Sequence, residues 1–220
     1  MLPVTPTIAN LARKALVRCL PTNSNLHRWD RSKTELCPHC CELETQHHIL
    51  NNCSVAAVQG RYTWRHNAVL RLLVDYLLPH MLPSDRLLAD LPGQLSPSDL
   101  YTDILPDITL VRGSYAHILE LTCCAEVNFL PSRLNKLKKY ADPSRSSKEP
   151  LTFTVNSVEV SSLGFVDGAG LRSFLHSLGV PLPPDSAIRR MGEMSLRASF
   201  YIFCARHKTW PPDISPPFFA

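Results

Sequence analysis

Two carboxylates stand inside apolar runs near the middle of the chain, and few folds tolerate that. Ile104, Ile108 and Leu110 alternate with Leu105, Thr109 and Val111, and Asp107 sits among them. A period of two is the pattern of a strand. Arg112-Gly113-Ser114-Tyr115 supplies a turn, and a second apolar run follows, Ile118-Leu119-Glu120-Leu121-Thr122-Cys123, with one carboxylate of its own. The pair reads as a β-hairpin carrying an acid in each strand, with 12 residues between the two acids. An ionised carboxylate in an apolar strand is costly unless it is paired or metal-bound. Two close together repel, and each raises the other's pKa unless a cation sits between them. A divalent metal removes both penalties.

The segment after the hairpin is basic. From 133 to 148 there are six Lys or Arg against Asp142 alone. Residues 131–142 read as a helix with Leu134, Leu137 and Tyr140 toward the core and Lys136 and Lys139 sharing another face. A charge run on a helix is usually a solvated face. The acids just upstream favour one lysine pointing into a site.

A second constellation lies nearer the start. Cys37-x2-Cys40-x7-His48-x4-Cys53 offers three thiolates and one imidazole, a set that suits tetrahedral Zn(II). Residues 45–50 can form a short helix that returns His48 toward the thiolates. So short a segment has almost no core, so metal binding would supply its folding energy. His39, Cys41 and His47 compete as ligands, Cys41 for Cys40 and His47 for His48.

The remaining elements follow from periodicity. Residues 8–20 read as a helix ending at Pro21, with Ile8, Leu11, Ala12, Ala15, Leu16 and Leu20 on its apolar face. Next come His27, Arg28, Arg31 and Lys33 around Trp29, cations beside an aromatic that suit a nucleic-acid strand. Residues 61–82 read as the longest helix, limited by Pro79, with Leu70, Leu73, Val74 and Leu77 as its stripe. Arg65 and His66 at its start are candidates to touch a phosphate. Residues 83–102 read as a loop with a short helical turn. Residues 151–160 read as a strand, 161–170 as a turn, and 171–178 and 186–207 as helices. The chain has 220 residues, a formal charge of +4 and 45% hydrophobic content, which permits a real core and a nucleic-acid partner. No apolar run reaches the roughly 18 residues that span a bilayer, so no membrane partner is expected. Nothing at the start reads as a secretory signal, so the eight cysteines are expected as thiols and metal ligands.

Pro106-Asp107, Glu120-Leu121-Thr122 and Lys136-Leu137-Lys138-Lys139-Tyr140 together resemble the PD…(D/E)xK nuclease pattern. They look most like the restriction-like endonuclease region at the C-terminus of site-specific non-LTR retrotransposon reverse transcriptases. There the lysine has left the strand for a K-x-x-K-Y run on the next helix, and Thr122 stands at the vacated position here. The Cys37–Cys53 spacing and the Arg65-His66-Asn67 run resemble the same family. The resemblance implies an α/β fold: a restriction-endonuclease-like mixed sheet flanked by helices, with a small N-terminal zinc knuckle. It implies a knuckle at 37–60 and a nuclease domain at 61–209; the residues themselves read as a helical, basic segment at 1–36 and a Pro-rich, poorly ordered tail at 210–220.

It further implies structural Zn(II) at Cys37, Cys40, His48 and Cys53. Mg(II) or Mn(II) is implied at Asp107 and Glu120, with Lys136 first and Lys139 second as the catalytic lysine and Tyr140 in support. Arg28, Trp29, Arg31, Arg65, His66, Arg133 and Lys138 are the expected nucleic-acid contacts. The partner would be nuclear DNA, with RNA as the alternative. No polymerase motif accompanies the nuclease. Two rival expectations remain: an inactive nucleic-acid-binding remnant, and a zinc-stabilised protein-interaction domain.

Overall fold

The computed structural model describes residues 5–182 and 185–210. The elements are α1 (Pro6–Leu16), α2 (Asn23–Arg28), a π-helical turn (His48–Asn52), α3 (Ser54–Val58), α4 (Arg61–Leu77), β1 (Arg86–Ala89), β2 (Ile108–Arg112), β3 (Tyr115–Cys124), α5 (Phe129–Lys139), β4 (Thr152–Ser161), β5 (Val166–Asp167), α6 (Ala169–Ser177) and α7 (Asp185–Cys204). The architecture is mixed α/β. Five strands lie in the order β1-β2-β3-β4-β5, with β3 and β4 parallel and every other neighbouring pair antiparallel.

Period-two alternation gives the sheet two different faces. On one, Leu87, Ala89, Ile108, Leu110, Leu119, Leu121, Val158 and Val160 join Val69, Leu70, Leu73, Val74 and Leu77 of α4, Leu171, Phe174 and Leu175 of α6 and Met191 and Met194 of α7. Each such leucine is worth about 1.5–3 kcal/mol when fully buried, and this is the main core. The other face holds a smaller cluster, Leu88, Leu100, Tyr101, Val111, Ala116 and Ile118. The same alternation puts Glu120, Ser157 and Glu159 on that second face. Two glycines let helices approach closely. A Cβ on Gly170 would stand 1.7 Å from the Ser157 carbonyl oxygen, and one on Gly192 would stand 2.1 Å from that of Gly164.

A separate cluster joins α1 and the π-helical turn to the C-terminal half of α7: Ile8, Leu11, Ala15, Leu20, Ile49, Leu50, Leu196, Ile202 and Phe203, with Trp210. The segment around the cysteines therefore packs on the last helix. Trp210 is buried, edge-on to Trp64 and under the Arg61 guanidinium, so the expected tail is anchored at its first residue. The rest of that tail lies outside the described residues.

Several expectations need correction. The first helix stops at Leu16, where Val17 caps it and Arg18 turns into the left-handed region at φ 55°, and Leu16 is exposed. The longest helix is α7, with 20 residues, not α4, with 17; Leu78–His80 continue α4 only as a 3-10 turn around Pro79. The stretch read as loop contains β1 as well as the turn Pro97–Asp99. Asp107 lies one residue before β2 rather than within it. Leu134 and Leu137 of α5 are exposed, not core.

Candidate active site and metal centre

β2 and β3 pair with Ile108 opposite Leu119, so Asp107 and Glu120 are the next residues to face each other. Two bonds between backbone and side chain lock them reciprocally. The Asp107 N–H donates to Glu120 Oε1 at 3.0 Å, and the Leu121 N–H donates to Asp107 Oδ2 at 2.8 Å. Both side chains are buried, Glu120 at 1% exposure. Lys136 reaches down from α5 and bridges them, with Nζ at 2.5 Å from Glu120 Oε2 and 3.3 Å from Asp107 Oδ2. His66 Nε2 of α4 lies 3.3 Å from the remaining oxygen, Asp107 Oδ1, while its Nδ1 meets Asn67 Oδ1 at 3.0 Å.

The electrostatics follow from this geometry. Burial works to raise the Asp107 pKa, but the His66 hydrogen bond and charge, the Lys136 ammonium and the Leu121 N–H outweigh it and hold Asp107 at about 2. Burial, then repulsion by Asp107, raises Glu120 above its usual value against the pull of Lys136. Burial works to lower Lys136 and His66, yet their carboxylate partners carry both above their ordinary values. The two carboxylates thus differ, one firmly ionised and one easier to protonate.

Tyr140 is buried just beyond α5, and its hydroxyl donates to the Leu105 carbonyl at 3.1 Å. Burial first, then nearby Glu120, pushes that hydroxyl up, so it stays a neutral donor. Lys139 turns away, with its ammonium 4.8 Å from the centroid of the Tyr140 ring, and is exposed. The Thr122 hydroxyl oxygen is buried with no hydrogen-bond partner, two residues along from Glu120 on the same face. Beside His66 opens a cleft of about 780 Å³, lined by Tyr62, Thr63, Asn67, Asp90, Gln94 and Cys123 among others. Asp90 is fixed there by its N–H, which donates to the Asp107 carbonyl at 3.0 Å.

Asp107 and Glu120 are oxygen donors facing one point, the chemistry that a hard divalent cation selects. That donor set suits such an ion, and in this structure the Lys136 ammonium stands between the two carboxylates.

The expected nucleic-acid contacts divide. Arg28, Trp29 and Arg31 are exposed around the end of α2, and Lys138 is exposed on α5. Arg28 also lines a second cleft of about 760 Å³ with Arg18, His47, Glu126 and Val127. Arg65 does not belong with them. It is 1% exposed, and its guanidinium donates to the Leu50 carbonyl at 2.8 Å, Ser199 Oγ at 3.1 Å, the Cys123 carbonyl at 3.2 Å and Asn51 Oδ1 at 3.3 Å. It ties the π-helical turn, α7 and β3 together. Arg133 is likewise engaged, between Glu159 and Asp167. His66 belongs to the carboxylate site instead of to a phosphate-binding surface. The sequence signal was only a polar residue near a helix start that also carries Arg65 and Asn67.

The cysteine region forms one cluster. The ligand atoms of Cys37, Cys40, His48 and Cys53 all lie within 4.8 Å of one another. Cys40 Sγ is 3.9 Å from Cys53 Sγ and 3.3 Å from His48 Nε2. A tetrahedron with bonds of about 2.3 Å to sulfur has sulfur–sulfur edges of about 3.8 Å, so these residues could hold a metal such as zinc. Burial, the largest influence, lowers the His48 pKa and favours the neutral imidazole that ligation needs. The competing ligands are outside the cluster. Cys41 is exposed at φ 61°, His47 is exposed, and His39 Nε2 meets the Arg206 carbonyl at 2.9 Å.

Glu44 fastens the cluster to the rest of the chain. It is buried, takes the Asn23 N–H at 2.9 Å, and faces His207 at 2.6 Å and Arg206 at 3.6 Å. Among the described residues no helix is long and apolar enough to cross a membrane. No protein-family model matches the chain, and a search of curated proteins finds no match either.

Proposed function

We propose that the chain is a metal-dependent DNA endonuclease domain with a zinc knuckle. In this reading it is related to the restriction-like nuclease region of site-specific non-LTR retrotransposon reverse transcriptases, and its sheet is a restriction-endonuclease-like core. The observation that carries the reading is the Lys136 ammonium shared between two buried carboxylates that face each other across β2 and β3. That is a cation-demanding pair with an amine already in reach.

Asp107 and Glu120 would hold Mg(II) or Mn(II). When bound, such an ion supplies the positive charge that makes a water nucleophilic and eases departure of the leaving oxygen. The chain's own groups prepare the site. The Leu121 N–H and His66 fix the two oxygens of Asp107, and the Asp107 N–H fixes Glu120. Lys136, released from the carboxylates, would orient the attacking water or meet the phosphate, where preorganised charge is worth most. Tyr140 holds the end of α5 against residue 105. Arg28, Trp29 and Arg31 would track the strand, with RNA as the alternative to DNA.

A second reading, a nucleic-acid-binding protein without turnover, is favoured by Thr122 at the position where the nuclease pattern has a lysine. Incubation with supercoiled plasmid separates the two. Open circles forming in Mg(II), absent in EDTA and absent for Asp107→Ala, support the endonuclease. Binding without nicking in either metal supports the rival.

A further inference from the structure

Arg133 precedes Lys136 by one helical turn on α5, and the two cations do the same work at two places on one sheet face. Glu159 of β4 and Asp167 of β5 face each other across their strands, as Asp107 and Glu120 do across β2 and β3. Arg133 spans this second pair. Its Nε donates to Glu159 Oε2 at 3.1 Å, and its Nη2 donates to that same oxygen and to Asp167 Oδ2, the latter at 2.6 Å. Glu159 is 0% exposed, and its other oxygen accepts from Ser157 Oγ at 2.8 Å. Asp167 Oδ1 takes the Ala169 N–H at 3.2 Å, which joins the pair to the start of α6.

The helix needs such an anchor. Leu130, Leu134 and Leu137 are exposed, and Phe129 is the buried residue of α5, at its first position. Between Phe129 and Tyr140 the helix is pinned to the sheet by Arg133 and Lys136. Ser132 Oγ adds a weak contact to Cys124 Sγ of β3 at 3.9 Å. Were Asp107 and Glu120 to turn to a cation, Lys136 would give up its present contacts and Arg133 would be the charged anchor left at mid-helix.

We propose that Arg133, held by Glu159 and Asp167, is a positioning residue: it fixes α5 across the sheet and so keeps the Lys136 ammonium over the Asp107–Glu120 pair. The importance of Lys136 rests on the nuclease reading; the anchoring of α5 does not.

The test uses the full chain with its Cys3His cluster filled with zinc. One variant combines Arg133→Met with Glu159→Met, which removes the buried carboxylate together with its partner. Asp167→Asn is the milder companion. Amide hydrogen exchange is followed in α5, with α4 and α6 as internal references, and nicking is resolved into kcat and KM. In the double variant α5 exchange should accelerate roughly ten-fold or more, with α4 and α6 unchanged, and kcat should fall roughly 100-fold at constant KM, the size of an ångström-scale misplacement. Asp167→Asn should shift both readouts in the same direction by less.

Unchanged α5 exchange overturns the proposal whatever the nicking does, and so does a loosened α5 with kcat intact. Should the unaltered chain fail to nick, the nuclease reading falls, and exchange alone decides whether Arg133 anchors α5. Should the double variant fail to fold, Asp167→Asn decides on the same criteria.

Discussion

Lys136 and Lys139 lie on one helix, three residues apart, yet only Lys136 touches the carboxylates. The neighbouring lysine lies over the Tyr140 ring, a contact worth about 0.5–1 kcal/mol at an exposed site. The two should therefore separate cleanly on substitution. Lys136→Met should lower plasmid nicking by roughly 10²–10³-fold, the loss typical of one preorganised charge at a reacting centre. Lys139→Met should stay within about two-fold, because an exposed charge at this distance from the acids contributes little. Equal losses in initial-rate assays would mean that the helix face had been misread. The acid pair was legible from residues alone because a carboxylate inside an apolar run is a costly exception that demands a partner. His66 was legible only as a polar residue near a helix start; its bond to Asp107 depends on how α4 crosses the sheet.

At the scale of elements, close approach and charge fix how helices sit on the sheet. Gly170 lets α6 lie directly against β4, since any Cβ would overlap the Ser157 carbonyl. Gly170→Ala should cost about 3 kcal/mol by overpacking, a drop of about 6–12 °C in thermal melting for a chain of this size. An unchanged melting temperature would show that the contact can open. The end of β2 is tied down by Arg112, which holds Asp85 at 2.5 Å. That hydrogen bond, more than any other influence, lowers the Asp85 pKa below its ordinary 3.8. A depressed carboxylate pKa contributes stability above the unfolded value, and the contribution is lost as pH falls through the folded one. Asp85→Asn should therefore flatten the loss of stability below about pH 4 in urea titrations, relative to the unaltered chain.

Elements also show where periodicity stops informing. The Leu134–Leu137 spacing announces an apolar stripe but not what covers it, and in α5 it faces solvent. The four residues of β1, Arg-Leu-Leu-Ala, suit a helix as well as a strand, so only pairing with β2 defines them. Arg65 reads as a nucleic-acid contact because an arginine at a helix start is usually exposed. Here Arg61 reaches the Ala205 and Lys208 carbonyls past the end of α7, and Arg65 staples three elements.

Across the whole molecule, Ile49 and Leu50 of the π-helical turn between His48 and Cys53 share one apolar cluster with α1 and the C-terminal half of α7, and Glu44 joins the cysteine segment to Arg206 and His207. A metal bound at the cysteines would thereby be coupled to the packing of α1 and α7. Stripping the metal should destabilise the molecule by about 4 kcal/mol relative to a site held at about 1,000 times its Kd. Cys37→Ser should reproduce that loss and abolish the bound metal, measured as zinc per chain by elemental analysis. A melting temperature indifferent to chelator would show the cluster to be decorative.

The carboxylate site has its own direct test, diffraction from crystals soaked in Mn(II) at the anomalous edge. The expected result is a peak shared by Asp107 and Glu120, with the Lys136 ammonium moved off both carboxylates. Contradiction would be an empty map at that point, with Lys136 still bonded to Glu120 and Asp107.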